Sequence, residues 1–192
     1  AGMSASRQQR WTWDAYVTWE AQQEIKHEFV DGEVRAITGG TMRHNVICNN
    51  LRAELRAALR GGGCRAQGPD AKIATGNANA RYPDAFVDCG RLKPDALFAQ
   101  EPAAVFEVLS RSTAWLDQGA KLRDYDATPS IRHYVLISQD EMRAMIYTRD
   151  ESGRLGLRDA QLIEGADGVI SLPSLGVTLT LGALHAGLEP SE

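Results

Sequence analysis

Ala103-Ala104-Val105-Phe106-Glu107-Val108-Leu109 is apolar at every position but one. A run apolar on both faces reads as a strand in the middle of a sheet, covered from both sides. Glu107 is the exception. A carboxylate buried there needs a partner cation, a metal, or a pKa raised until it is neutral. Just upstream, Tyr82-Pro83-Asp84-Ala85-Phe86-Val87 opens a second apolar strand on an acid. Two carboxylates on neighbouring strands, converging at one sheet edge, make a site for a hard cation. Magnesium favours one or two carboxylates plus water and phosphate oxygens. The alternative from spacing alone is that Asp84 caps a turn and Glu107 pairs with an internal arginine.

The elements around this pair set the fold class. Downstream, Ser112 or Thr113 caps a helix running to about Ala127, which Pro129 stops. His133-Tyr134-Val135-Leu136-Ile137 follows as a buried strand. The remainder is β-rich, with strands expected over 142–148, 155–158, 168–172 and 177–181. Upstream, short strands are expected over 64–67 and 70–75, with a loop over 76–80. Before them, Thr41 caps a helix that reaches Arg60, and Gly61-Gly62-Gly63 ends it. His44, Ile47, Leu51, Leu55, Ala58 and Leu59 recur at steps of three and four and define its buried face. Asp31-Gly32 between alternating residues signals a hairpin over 27–37, and residues 12–26 read as a first helix capped by Thr12. This order predicts an α/β fold: a mixed β-sheet flanked by helices, with an additional N-terminal hairpin and C-terminal β-strands. One domain is expected over 11–192. Residues 1–10 read as a flexible N-terminus, and Ala1-Gly2 ahead of Met3 reads as a tag remnant.

Composition narrows the function classes. The chain has 192 residues, 43% hydrophobic and 24% charged, which is ordinary for a globular domain. Lys and Arg number 21 against 25 Asp and Glu, a net charge of −4 that excludes a strongly basic nucleic-acid coat. A local patch survives: residues 41–65 hold five arginines and one glutamate, with Arg52, Arg56 and Arg60 in a row. No long apolar run or export leader is seen, so a cytoplasmic protein without a membrane partner is expected. Cys48, Cys64 and Cys89 lack the paired spacings of a disulfide framework or zinc knuckle, and read as buried, reduced thiols.

Three blocks together point to a family. Tyr82-Pro83-Asp84, then Phe106-Glu107-Val108-Leu109-Ser110-x-Ser112-Thr113, then Asp117-x3-Lys121-x3-Tyr125 resemble the Uma2 family of restriction-endonuclease-like proteins, within the PD-(D/E)XK nuclease superfamily. The Glu28–Glu33 hairpin and the helix beginning near His44 fit as well. The resemblance implies a restriction-endonuclease-like fold and phosphodiester hydrolysis with Mg²⁺ (or Mn²⁺). It places Asp84 at the metal-binding aspartate and Glu107 at the acidic position of the (D/E)-x-K motif. The motif's lysine position holds Leu109 instead. Residues 107 and 109 share a strand face, so an apolar side chain stands where the cation is expected.

Lys121, on the following helix, is the expected substitute. Its alternative is an ordinary surface pair with Asp117, four residues earlier. His44 either caps and packs its helix or faces the site. Glu28 is either a surface group or a third carboxylate. Gly39-Gly40-Thr41 reads as linker and cap, because it lacks the lysine of a phosphate-binding loop. The expected activity is a metal-dependent endonuclease acting on nucleic acid, DNA in particular, with Asp84, Glu107, Lys121, Glu28 and His44 at the site and Asp84 and Glu107 as metal ligands. The rival is a nuclease fold degraded at Leu109 and kept as a DNA- or protein-binding dimer. A homodimer is expected from the surplus tryptophans, Trp11, Trp13, Trp19 and Trp115, and from the β-rich tail.

Overall fold

The structure is a computed structural model that describes residues 10–110, 118–156, 158 and 160–189. Among the described residues, twelve strands form three sheets, accompanied by four α-helices. Helix α1 (Trp13–Glu20) is shorter than the sequence suggests and precedes the hairpin of β1 (His27–Val30) and β2 (Glu33–Ala36). Asp31 and Gly32 both have positive φ, 51° and 83°, which is the geometry of a tight two-residue hairpin turn. Helix α2 (Met42–Ala58) is capped by the Thr41 hydroxyl, which accepts from the His44 amide. Then come β3 (Arg65–Gln67), β4 (Ile73–Ala74), β5 (Ala80–Arg81), β6 (Ala85–Asp88) and β7 (Pro102–Leu109). Helix α3 is described over Gln118–Asp126, and β8 (His133–Ser138), β9 (Arg143–Thr148), β10 (Gln161–Glu164), β11 (Val169–Leu172), β12 (Val177–Thr180) and α4 (Leu181–Leu184) complete the chain. No described helix is long and apolar enough to cross a membrane. The expected cap at Ser112 or Thr113 lies outside the described residues.

The central sheet has the order β10-β9-β8-β7-β6-β3. Only β7 and β8 run parallel, joined by the segment containing α3; the other neighbours are antiparallel. Side chains alternate across β7. Ala104, Phe106 and Val108 face Ile47, Leu51 and Leu55 of α2 in a core that also takes in Leu179 and Leu181. Val105 and Leu109 face the other way, into a core with Tyr125 of α3, Tyr134 and Leu136. Glu107 shares that second face by periodicity. A smaller sheet, β2-β1-β5-β4, brings Phe29 and Ala80 onto Tyr16 of α1. The two-stranded β11-β12 unit packs beside α2. A mixed sheet with helices on both faces is therefore what the element order predicted.

Several local expectations change. The loop over 76–80 ends in a strand, because Ala80 pairs with Phe29 and with Ala74. Of the strand expected over 155–158, Leu155 forms a bridge with Arg149 and residue 157 lies outside the described residues, while a strand over Gln161–Glu164 forms the edge of the sheet. Cys64 and Cys89 are not reduced thiols: they form a disulfide, and Cys48 alone is free. The cause is register. Arg65 lies opposite Asp88 in the antiparallel β3–β6 pair, so the next residues out, Cys64 and Cys89, face each other. Sequence spacing carries no sign of a cross-strand neighbour.

His133 shows how burial sets a charge state. Its ring is buried, with Nδ1 3.2 Å from Thr148 Oγ1 and Nε2 2.7 Å from Ser174 Oγ. Burial, helped by the nearby Arg132 charge, pulls its pKa from 6.5 down to about 4. The unfolded chain therefore takes up a proton first as pH falls. The His133 contribution is complete above pH 6.5 and is lost progressively toward pH 4, up to about 3 kcal/mol. In urea unfolding at pH 7.5 and at pH 4.5, the His133→Gln variant should lose less stability between the two than the native chain. Equal pH sensitivity in both proteins would show that His133 titrates normally.

Candidate active site

The β6–β7 register brings the two acids together. Ala85 pairs with Phe106, so one residue further along, Asp84 faces Glu107 across the strand pair. Asp84 Oδ2 accepts a hydrogen bond of 2.7 Å from the Val108 amide, which fixes the carboxylate at the open end of β7. Its other oxygen, Oδ1, lies 3.2 Å from His44 Nε2. His44 reaches it from the first turn of α2. A Cβ on Gly40 would stand 2.8 Å from His44 Nδ1, so the glycine lets the linker pass directly against the ring. The hydrogen bond to Asp84, with the negative charges of Asp84 and Glu107, raises the His44 pKa against the opposing effect of burial.

Glu107, 4% exposed, lies at the cleft floor. Its Oε1 lies 3.1 Å from Lys121 Nζ and accepts a 3.1 Å hydrogen bond from the Tyr125 hydroxyl. Lys121 and Tyr125 are one helical turn apart on α3, so both reach down onto the β7 face that carries Glu107. Burial pushes the Glu107 pKa up to about 7, the Asp84 and Glu28 charges add to the rise, and Lys121 opposes it. The carboxyl is thus poised between neutral and charged near neutral pH, a condition typical of functional sites.

Glu28 on β1 closes the group. Its Oε1 accepts from the Tyr82 amide at 3.1 Å, and its Oε2 lies 3.0 Å from Arg81 Nη1. Arg81 is 1% exposed and runs on to α3, where its Nε donates to Asp124 Oδ2 at 2.7 Å. Asn77 and Asn79 donate to the other Asp124 oxygen at 2.7 and 2.8 Å. Burial opposes the Arg81 charge, but Glu28 and Asp124 outweigh it and raise its pKa. Arg81 thereby ties β1 and β5 to the helix carrying Lys121.

Glu28, His44, Asp84, Glu107, Leu109 and Lys121 all line one cleft of about 730 Å³. The five residues singled out in the sequence therefore converge, with Leu109 packed beside them against the α3-side core. Asp117, the rival partner of Lys121, lies outside the described residues. Arg52, Arg56 and Arg60 do not line this cleft; Arg52 is held by the Cys48 carbonyl and by Asn49. The Gly39-Gly40-Thr41 segment is the cap and linker expected. Trp11, Trp13 and Trp19 pack against Tyr16, Phe29, Phe98, His27 and one another, and Trp115 lies outside the described residues. Sequence reading missed Arg81 and Tyr125 as site residues. Tyr125 carried a signal, its four-residue spacing from Lys121; Arg81 carried none, since its two partners are distant in sequence.

Comparison with known proteins places this mixed sheet, with its two carboxylates beside a lysine, among nuclease-like folds. A family model described as "Uma2: Putative restriction endonuclease" matches residues 13–182, and the chain belongs to that family. A protein of Synechocystis named "Uncharacterized protein slr1290" is 32% identical over 177 residues, covering 91% of each chain. A second Synechocystis protein, "Uncharacterized protein sll1609", is 28% identical over 128 residues, 65% of this chain and 72% of that one. Among solved structures, one from Anabaena variabilis described as "a putative nuclease belonging to DUF820" superposes with a TM-score of 0.72 at 16% identity, covering 91% of this chain and 97% of that one. That likeness establishes the fold.

Proposed function

We propose that the cleft is the active site of a metal-dependent endonuclease that hydrolyses phosphodiester bonds of nucleic acid, with DNA the expected substrate. The observation that carries this reading is Glu107: a buried carboxylate with its pKa near 7, facing Asp84 across the strand pair and 3.1 Å from Lys121. The donor set suits a hard cation, since Asp84 and Glu107 offer carboxylate oxygens on a cleft open to water and phosphate. Bound Mg²⁺ or Mn²⁺ would supply Lewis acidity toward a phosphate oxygen and a more acidic water.

The side chains divide the remaining work. The Val108 amide and His44 hold Asp84 in place. The Lys121 ammonium stands where negative charge grows on the phosphoryl oxygens, and in a partly desolvated cleft such a charge contact is worth several times its value in water. His44, whose pKa Asp84 raises, lines the cleft and can donate a hydrogen bond to a substrate oxygen. Glu28, fixed by Arg81 and the Tyr82 amide, adds a third anion at the wall.

The second reading, a binding module without cleavage, is favoured by Leu109 in the usual lysine position. Circular plasmid DNA separates the two. The purified chain should nick or linearise it with Mg²⁺ or Mn²⁺, and EDTA should stop the reaction. DNA binding with no cleavage under either ion would replace the endonuclease reading by the binding module. Dimerisation belongs to the same proposal, and light scattering at tens of micromolar that shows monomer alone removes that part.

A further inference from the structure

Behind the cleft wall, Cys48 adds to His44 and Asp84 a sulfur donor that phosphodiester hydrolysis does not use. Cys48 lies one helical turn after His44 on α2 and is 5% exposed. Its Sγ is 3.7 Å from His44 Nδ1 and 3.8 Å from Nε2, and His44 Nε2 is 3.2 Å from Asp84 Oδ1. One ligand atom from each of His44, Cys48 and Asp84 lies within 4.8 Å of the other two. We propose that these three residues form a site for a thiophilic divalent ion such as Zn²⁺, and that filling it withdraws Asp84 from the hard cation.

Two of the three ligand separations suit such an ion as they stand, and the third, between Cys48 and Asp84, is within 4.8 Å. Tetrahedral zinc with usual bond lengths places sulfur and nitrogen ligands about 3.6 Å apart, and nitrogen and oxygen ligands about 3.4 Å apart. The corresponding separations here, 3.8 and 3.2 Å, are within a few tenths of an ångström. The ion would take the place of the proton shared between His44 and Asp84. A small side-chain rotation then brings Cys48 Sγ into range from behind. The three protein ligands leave a fourth position, which faces the cleft, since His44 and Asp84 line it.

The ligand types choose the metal. Magnesium and manganese favour oxygen donors, whereas a thiolate with an imidazole selects zinc and its softer neighbours. Burial raises the Cys48 thiol pKa, so the thiol stays protonated until a metal that binds sulfur displaces the proton. The thiol site does not require that the chain be a nuclease. The competition for Asp84 rests on the hard-cation reading above.

Cobalt(II) tests the site without activity, because a thiolate ligand gives it an intense charge-transfer band that oxygen and nitrogen ligands lack. Cys64 and Cys89 are joined to each other, so in the absence of reductant Cys48 is the one thiol that can produce the band. The native chain should show it with one equivalent of Co²⁺ and lose it when Zn²⁺ is added. Cys48→Ala and Cys48→Ser, checked for folding by thermal melting, should lack the band and bind Zn²⁺ at least tenfold more weakly. No band in the native chain, or an equal band in both variants, overturns the site. Competition is read by Mn²⁺ electron paramagnetic resonance: Zn²⁺ should release bound Mn²⁺ from the native chain. A cobalt band with Mn²⁺ undisturbed by Zn²⁺ overturns the sharing of Asp84. A chain that binds no Mn²⁺ but gives the cobalt band removes the hard-cation reading and leaves the thiol site standing.

Discussion

Arg81→Ala should lower stability by about 3–5 kcal/mol, the usual cost of removing one member of a buried ion pair. The reason is what it leaves behind. Glu28 and Asp124 meet on the Arg81 guanidinium, at side-chain exposures of 14% and 4%. Without it, two carboxylates remain in a region that water barely reaches. Asn77 and Asn79 still donate to Asp124, but neutral amides do not cancel its charge. Since whole domains are stable by about 5–15 kcal/mol, the variant should sit near its unfolding threshold at ordinary temperature. Urea unfolding measures the loss. The companion test is Asp124→Asn in the Arg81→Ala background. If the damage comes from an uncompensated charge, the double variant should be more stable than Arg81→Ala alone, because the amide has no charge to leave unpaired. A loss below about 1 kcal/mol in Arg81→Ala, or no recovery in the double variant, means that Arg81 acts by packing and not as a charged strut.

That network also marks the limit of what the sequence discloses. Asp31-Gly32, Thr41 and the apolar run at 103–109 each carry their signal within a few residues, through turn chemistry, capping or strand-like alternation, and each is where it was expected. The convergence of Asp84 and Glu107 was readable because Glu107 interrupts one apolar strand and Asp84 opens another, and a buried acid demands an explanation. Arg81 is different. It sits in a two-residue strand that exists only through pairing with β1 and β4, and its partners lie 53 and 43 residues away. The Cys64–Cys89 disulfide was hidden for the same reason, since register decides it and register is a property of the assembled sheet. The C-terminal strands were partly legible, but β10 falls after the expected position because edge strands have weak patterns of their own. Local physics is thus visible in the sequence, and long-range pairing is visible only where it leaves a chemical oddity behind.

Lys121→Ala should reduce metal-dependent cleavage by about 10²–10³-fold, corresponding to about 3–4 kcal/mol of barrier, the usual effect of removing one preorganised charge contact. The ammonium lies 3.1 Å from Glu107 Oε1, at the cleft, and its side chain is only 15% exposed. Under the proposed function it supplies the charge for which the superfamily's (D/E)-x-K motif has a lysine at the position held here by Leu109. The fold should survive, because Tyr125 still donates to Glu107 and the carboxyl, already poised near pH 7, can take up a proton. Melting temperature and Mn²⁺ binding are therefore measured beside cleavage, so that a lost charge contact is distinguished from a lost metal site. Adding Leu109→Lys to Lys121→Ala should restore part of the rate, since residue 109 shares a strand face with Glu107 and also lines the cleft. The new lysine enters an apolar slot against the α3-side core, where desolvation lowers its pKa, so the recovered rate should be greater at neutral pH than the rate of Lys121→Ala and lower than that of the native chain. The single variant is decisive. If Lys121→Ala cleaves at the native rate while folded and metal-bound, the lysine is a structural partner of Glu107, and the charge that stabilises the transition state must come from another residue.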